Sequence, residues 1–163
     1  MDAIQLLTLQ HRALEGSLKD LLDCPAEQRP ALLKEAGDRL AEHLASEEQV
    51  FYPAVHVGGT EDVLRESLEE HLSLKRLLAD LLPMPGEAPQ FEAKLHVLKE
   101  QAEHHHKEEE EHLFPKVLKI LDLPARHELG LQMIALQQRM SQGEAGESAM
   151  ELADDTERAA PLE

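Results

Sequence analysis

A histidine followed four residues later by a glutamate occurs twice in this sequence, and this feature constrains the fold most. The pairs are His43 with Glu47 and His105 with Glu109, and a proline follows each glutamate by six residues. Residues four apart lie on one face of an α-helix. Imidazole nitrogen and carboxylate oxygen together suit iron, manganese or zinc. One such run is usually a solvated helix face, but the repetition favours a metal site.

Length, composition and charge restrict the fold class and the partners of the chain. At 163 residues it fits a single domain with a sizeable core. Leucine, alanine and charged residues dominate while aromatic residues make up only 2%, which indicates an all-α protein. The formal net charge of −17 argues against nucleic acid and anionic membrane surfaces as partners, because their phosphates would be repelled.

Three further features concern location. No apolar run approaches the ~18 residues that a membrane-spanning helix needs. The N-terminus lacks the cationic and apolar regions of a signal peptide. Cys24 is the only cysteine, so no internal disulfide can form, as is usual in a reducing compartment. Together these features predict a cytoplasmic protein that does not enter a membrane.

Apolar residues recur three and four positions apart along four long segments, which is typical of helices with one buried face. In each segment, histidine or glutamate occupies positions where the pattern otherwise has leucine or alanine. Pro53 is expected to kink the last turn of the second helix. The predicted helices cover about residues 4–21, 28–56, 61–81 and 90–121.

An internal repeat relates the first two predicted helices to the next two. Two helical hairpins packed about a pseudo-twofold axis predict an up-down-up-down four-helix bundle. Each helix would then present candidate ligands at mid-length on its inner face. The matches are His11 with His71 at an offset of 60 residues, and His43 and Glu47 with His105 and Glu109 at an offset of 62.

The predicted bundle occupies residues 1–122, and the remaining chain divides into an additional helix within 123–142 and a tail, 143–163. An apolar stripe predicts the additional helix at about 126–141, where it either covers the bundle or forms a homodimer interface. The tail is acidic and nearly free of large apolar residues, so we expect it to be disordered. The stripe consists of Leu129, Met133, Leu136 and Met140.

Energetics favour a metal over a purely structural polar network. Four histidines and two carboxylates would face one another inside the bundle. A buried carboxylate without compensation costs several kcal/mol, and direct coordination by a dication removes that cost.

This arrangement closely resembles the hemerythrin-like, or HHE cation-binding, family over residues 1–121. The shared pattern is His … His-x3-Glu … His … His-x3-Glu. The resemblance implies a non-haem centre of two iron ions, although zinc or manganese could occupy it in recombinant material. It also implies that the two glutamates bridge the irons and that each iron is held by two histidines. The implied ligands are His11 and His43 on one iron, His71 and His105 on the other, and the bridging Glu47 and Glu109.

One position departs from the oxygen-carrying hemerythrins. Those proteins have a second histidine one turn after the ligand in the third helix, where this chain has Lys75. We therefore expect both irons to be reachable, with the Lys75 ammonium nearby favouring anionic bound species. His112, seven residues after His105, is either an extra ligand or a rim residue. His104 and His106 point away from the ligand face and are predicted to lie on the surface.

These features predict a protein that reacts with or senses oxygen, peroxide or nitric oxide, with peroxidase- or oxidase-like reactivity left open. The alternatives are a reversible oxygen carrier and an iron-responsive interaction module whose fold is read by a partner. A ferritin-like oxidase fits less well, because its Glu-x-x-His signature comes from two helices and is matched here only at Glu109 and His112.

Overall fold

The computed structural model describes residues 1–143 and 146–162, and this part of the chain is helical, with no strand. The prediction of an all-α protein is therefore confirmed for the described residues. No helix among them is long and apolar enough to span a membrane. The α-helices are α1 (Ala3–Asp23), α2 (Arg29–Ser46), α3 (Tyr52–Val55), α4 (Glu61–Leu81), α5 (Pro89–Glu108), α6 (Phe114–Ile120), α7 (Leu123–Ser141) and α8 (Glu147–Asp154).

Local signals explain where several helices begin. Asp2 and Gln5 form a capping box at the start of α1, in which each side chain accepts a hydrogen bond from the backbone N–H of the other residue. The Asp122 carboxylate caps α7 by accepting from the N–H of Ala125. Proline stands in the first turn of α2, α5 and α7, where its missing N–H removes no helical hydrogen bond.

Both helices that carry a His-x3-Glu pair continue into a π-helical turn, Glu47–Phe51 after α2 and Glu109–Leu113 after α5. The N–H of the residue after each turn bonds to the carbonyl of the glutamate five residues earlier. The next residue is proline, which cannot donate to the α-helical ladder. The sequence predicted a kink at Pro53, and the structure has a π-helical turn directly before this residue. Such turns are frequent at functional sites.

The apolar core divides into two clusters, one toward each end of the long helices. Along each long helix that carries candidate ligands, these polar residues lie between the two clusters. Burial of each leucine contributes roughly 1.5–3 kcal/mol, so the clusters stabilise a fold that contains a polar layer. The first cluster includes Leu14, Leu40, Leu74 and Leu98, and the second includes Leu7, Phe51, Leu68 and Leu113.

Helix α7 covers part of this core by packing against α1 and α2. Leu129 and Met133 are 8% and 0% exposed and belong to the second cluster, as the predicted stripe requires. Leu136 and Met140 are only partly buried. Within one chain, α7 therefore acts as a covering helix, while a homodimer through residues 126–141 stays a prediction.

The expectation of a disordered tail is wrong for the described residues after 143. Helix α8 packs against α2 and α4, and Ala149 is fully buried in the first cluster. Beyond α8, Arg76 donates hydrogen bonds to the backbone carbonyls of Thr156 and Glu157. The same expectation for residues 144, 145 and 163 lies outside the described residues.

The packing of α8 depends on small residues and backbone hydrogen bonds, which explains why the apolar pattern did not predict it. Gly37 in α2 lets α8 approach closely, since a Cβ atom there would lie 2.9 Å from the Cβ of Ala149. The Asp38 carboxylate accepts hydrogen bonds of 2.9 Å from the N–H groups of Gly146 and Ala149. Gly146 has a φ of 85°, a left-handed conformation that favours glycine.

Candidate metal centre

The six predicted ligands lie together in the buried layer between the two apolar clusters. Each is at most 1% exposed. Their potential ligand atoms form two overlapping groups, within each of which all atoms lie within 4.8 Å of one another, and Glu47 belongs to both groups. The groups are His11, His43, Glu47 and Glu109, and Glu47, His71 and His105.

The Glu47 carboxylate faces histidines from both halves of the repeat. Its Oε1 lies 3.3 Å from His43 Nε2, 3.3 Å from His71 Nε2 and 3.7 Å from His105 Nε2. These distances exceed metal–ligand bonds, and they leave the oxygen directed at the space between the imidazoles. A carboxylate in this position fits a shared ligand of two ions.

Glu109 occupies the matching position in the second half. Its Oε1 lies 3.3 Å from His11 Nε2 and 3.1 Å from His105 Nε2. Its Oε2 accepts a 3.0 Å hydrogen bond from the hydroxyl of Tyr52, which also lies 3.3 Å from His71 Nε2. Glu109 therefore also faces histidines from both halves.

Tyr52 is a site residue that the sequence analysis did not identify. It is buried against the centre, and its counterpart in the repeat is Phe114. The sequence contained one signal for this role, since the repeat has tyrosine at one of the two matched positions and phenylalanine at the other. Burial, together with the negative charges of Glu109 and Glu47, holds the pKa of the Tyr52 hydroxyl well above its ordinary value. The phenol therefore stays protonated and donates.

The outward-facing nitrogens of two histidines contact carboxylates. His11 Nδ1 lies 2.7 Å from Glu110 Oε2, and His71 Nδ1 lies 2.7 Å from Glu48 Oε2. An ionised carboxylate can only accept, so each Nδ1 carries the proton. This tautomer leaves the Nε2 lone pair directed inward, where a metal would bind.

The other two histidines have acceptors on neighbouring helices. His43 Nδ1 lies 2.9 Å from the amide oxygen of Gln10, and His105 Nδ1 lies 2.9 Å from Glu70 Oε1. Gln10 in turn exchanges hydrogen bonds with Gln137 of α7, which links the covering helix to the site. All four imidazoles are thus oriented by side chains outside the predicted ligand set.

These four partners follow the internal repeat. Gln10 and Glu70 precede matched histidines, while Glu48 and Glu110 follow matched glutamates. The offsets of 60 and 62 residues could therefore have identified them, whereas the periodicity of a single helix could not. The sequence analysis did not use this signal.

The hydrogen bonding of the inner atoms fits a metal. A buried polar atom without a partner costs about 1–3 kcal/mol, so several in one layer need an explanation. Nε2 of His71 and Nε2 of His105 face each other at 3.0 Å, a contact that one proton can bridge. Within the described part of the chain, buried atoms without a hydrogen-bond partner include His11 Nε2, His43 Nε2, Glu47 Oε1 and Oε2, and Glu109 Oε1.

The charges of the layer compensate one another when protons replace a metal. Burial opposes ionisation of Glu47, yet the charge of His43 and the close approach of neighbouring imidazoles outweigh it and hold the pKa of Glu47 well below its ordinary value. Burial lowers the pKa values of His11, His71 and His105, but neighbouring carboxylates outweigh it and raise all three; these are chiefly Glu109 and Glu47 for His11 and His105, and Glu47 and Glu48 for His71. Dications would displace these protons and take over the compensation.

His106 is buried, so its prediction as a surface residue is wrong. It follows His105 by about 100° around the helix, and α5 packs against both α4 and α1. Its ring stacks on His11 with centroids 3.9 Å apart and an interplanar angle of 7°, and its Nδ1 lies 3.3 Å from Glu15 Oε2. Burial, together with the charges of His11 and His43, lowers the pKa of His106 and keeps the ring neutral.

One ring nitrogen of His106 lies within 4.8 Å of ligand atoms of His11 and His43, but the stacking of its ring on His11 argues against a shared ion. An imidazole lone pair lies in the plane of its ring, so two parallel stacked rings cannot both direct lone pairs at one ion. His106 therefore supports the orientation of His11. The side chains of His104 and His112 are 64% and 58% exposed, which agrees with the predicted surface position of His104 and keeps His112 outside the cluster.

Lys75 is buried, but its ammonium contacts carboxylates outside the inner layer. Its Nζ lies 3.1 Å from Glu48 Oε1 and 2.8 Å from Asp155 Oδ2. Burial opposes ionisation of Glu48, but His71 and Lys75 outweigh it and hold the pKa of Glu48 below its ordinary value. Lys75 thus reaches the site through Glu48 and His71.

Comparisons with known proteins agree with this arrangement. The family model of the hemerythrin HHE cation binding domain matches residues 2–117. Two uncharacterized proteins, Rv2633c of Mycobacterium tuberculosis and Mb2666c of Mycobacterium bovis, are each 29% identical over 117 residues, which cover 71% of this chain and 71% of each relative. The crystal structure of a hemerythrin HHE cation binding domain-containing protein, the Rv2633c homolog from Mycobacterium kansasii, superposes with a TM-score of 0.76 at 27% identity, covering 98% of this chain and 96% of that one.

Proposed function

Because the chain belongs to the hemerythrin HHE cation-binding domain family, we propose that its buried layer binds two iron ions and reacts with a small oxidant: oxygen, peroxide or nitric oxide. The set of buried imidazole and carboxylate atoms without hydrogen-bond partners carries this proposal. In this proposal, His11 and His43 would hold one iron, and His71 and His105 would hold the other. Glu47 and Glu109 would be shared between the two irons.

The distances around the two glutamates support the bridging role. Each carboxylate faces histidines from both proposed pairs at 3.1–3.7 Å. We also infer that α1, α2, α4 and α5 form an up-down-up-down bundle. The packing of α1 on α2 and α5, and of α4 on α5, supports this arrangement.

The surrounding residues prepare the site for redox chemistry. Bound iron would supply electrons to the oxidant. The apolar clusters on both sides exclude bulk water, and the acceptors at each Nδ1 fix the orientation of the imidazoles. The Tyr52 hydroxyl keeps its proton and donates a hydrogen bond to Glu109 Oε2, which fixes the orientation of that carboxylate.

A sensor or scavenger is favoured over a carrier by the number of available imidazoles. Four histidines are directed into the layer, Lys75 contacts Glu48, and His106 is stacked on His11. Two histidines per iron and shared carboxylates leave each ion with positions for water or an oxidant. We therefore expect rapid oxidation of the reduced protein rather than reversible oxygen binding.

The test is anaerobic iron loading of the full chain, followed by iron analysis and stopped-flow mixing with oxygen, peroxide or nitric oxide. We expect two irons per chain and rapid oxidation. His71→Ala should lower the iron content, whereas the control His112→Ala should not. Oxygen uptake that reverses under vacuum would restore the carrier alternative. Failure to retain iron while binding zinc tightly would refute the proposal.

A further inference from the structure

Three charged residues connect the C-terminal segment to His71. The Asp155 carboxylate lies 2.8 Å from Lys75 Nζ, and the same ammonium lies 3.1 Å from Glu48 Oε1. The other oxygen of Glu48 accepts from His71 Nδ1 at 2.7 Å. Glu48 therefore uses one oxygen for the lysine and the other for the histidine, so both interactions coexist.

The three charged side chains in this series differ in how far they are buried. The side chain of Lys75 is 1% exposed, compared with 12% for Glu48 and 59% for Asp155. A buried ammonium is costly unless it is paired, so the two carboxylates determine where the Lys75 charge lies. The contact between Lys75 and Glu48 is therefore screened by water much less than one between surface charges, whereas the exposed Asp155 acts more weakly, through its direct contact with the buried ammonium.

The charge on Glu48 affects what His71 offers to a metal. A carboxylate that accepts from Nδ1–H makes the imidazole more basic and a stronger donor at Nε2. Lys75 withdraws part of that negative charge, and Asp155 offsets part of the charge on Lys75. The two residues thus act on Nε2 in opposite directions through Glu48.

We propose that Lys75 and Asp155 are positioning residues that set the donor strength of His71 toward the metal. The C-terminal segment, which lies beyond the matched residues 2–117, is in this way part of the metal centre. The inference rests on the proposed function, since it assumes that His71 binds a redox-active ion.

The matched half of the repeat has a different arrangement. There Glu110, the partner of His11, contacts Arg12, whose side chain is 55% exposed, and the counterpart of Lys75 is Glu15. A cation in contact with water interacts more weakly with a carboxylate than a buried one. The effect of the C-terminal segment is therefore confined to the half that contains His71.

Asp155 can lose its charge without releasing the segment. Helix α8 is held by the Asp38 carboxylate and by close packing at Gly37, while Arg76 binds the backbone carbonyls after Asp155. Asp155→Asn therefore changes the charge and leaves these contacts in place. The neighbouring exposed Asp154 provides a control with the same change of charge.

The experiment measures the midpoint potential of the iron-loaded full chain by spectroelectrochemical titration. Lys75→Met should shift the potential downward, because the stronger donor stabilises the ferric state, and Asp155→Asn should shift it upward. Both shifts should be several times that of Asp154→Asn. The iron content of Asp155→Asn should match that of the unmodified chain.

Each outcome bears on a different claim. If both variants match Asp154→Asn while the unmodified chain shows a normal iron couple, the inference is overturned and the proposed function stands. If the unmodified chain holds no redox-active iron, the proposed function fails first, and the inference fails with it. Thermal melting of the metal-free variants checks folding, and if Lys75→Met does not fold, Asp155→Asn alone decides.

Discussion

Removal of the proposed iron by a chelator should produce a protein whose stability falls as the pH rises above about 6.5. Without metal, protons on His11, His71 and His105 compensate the buried glutamates, and the pKa values of these three histidines are raised. A group with a raised pKa stabilises the folded state fully below its unfolded pKa. That contribution is lost as the pH rises through the folded pKa.

The magnitude follows from the number of protons involved. One proton held only by the folded state changes the free energy of unfolding by about 1.4 kcal/mol per pH unit. Three such histidines set an upper limit of about 4 kcal/mol per pH unit, and their mutual repulsion reduces it. Because a bound metal displaces the same protons, its affinity should rise up to about tenfold per proton and pH unit over the same range.

The comparison should be made above pH 6.5, because His106 acts in the opposite direction below it. Its pKa is lowered, so its contribution to stability is lost as the pH falls through the unfolded value. The lowered pKa of Glu47 affects the free energy of unfolding only in acid. Its stabilising contribution is lost as the pH falls below the ordinary pKa of a glutamate. Neither group changes its contribution much between pH 7 and 8.

Two measurements test the reasoning: urea unfolding of the metal-free protein at pH 6.5, 7.25 and 8, and metal affinity by chelator competition at the same values. His105→Ala should reduce both slopes, whereas the exposed His104→Ala should leave them unchanged. Metal affinity that is independent of pH, together with a metal-free protein that gains stability from pH 6.5 to 8, would refute the assignment of these protons.

Two further predictions concern Met133, which packs α7 onto the second apolar cluster, and Tyr52 at the candidate site. Met133→Ala should lower the free energy of unfolding by about 2–5 kcal/mol, because Met133 is fully buried. The control Leu131→Ala, at a position that is 64% exposed, should change it little. Equal losses for the two variants in urea unfolding would contradict the packing of α7. Tyr52→Phe should destabilise the metal-free protein by about 1–3 kcal/mol, because Glu109 Oε2 loses its hydrogen-bond donor. An unchanged midpoint of urea unfolding would show that the hydroxyl does not stabilise the folded state.

The helical period was enough to bring the six inner residues together. A histidine or glutamate that replaces leucine in a stripe must share the face of that stripe, so the spacing alone placed all six in the buried layer. The residues that orient them were harder to predict. Glu48 and Glu70 are adjacent to inner residues in the sequence, which puts them about 100° around the helix. Only packing between helices determines what they contact.

Other features depend on tertiary contacts that no single segment encodes. His106 is buried because α1 packs over that side of α5, which the pattern of α5 does not indicate. Helix α8 has no stripe of large apolar residues, and its position depends on the absence of a side chain at Gly37 and on the Asp38 carboxylate. The composition of the tail was read correctly as acidic, but the inference of disorder overlooked these contacts.

Under the proposed ligand assignment, the acceptors behind the imidazoles should give the two metal positions unequal affinities. His43 donates to the neutral amide of Gln10, whereas its counterpart His105 donates to the carboxylate of Glu70. Proximity to a second carboxylate strengthens the attraction of a dication to the position at His105 and its partner His71. Loading of the metal-free chain is therefore expected to be sequential: the first equivalent enters this position, and a species with one metal per chain accumulates before the second equivalent binds.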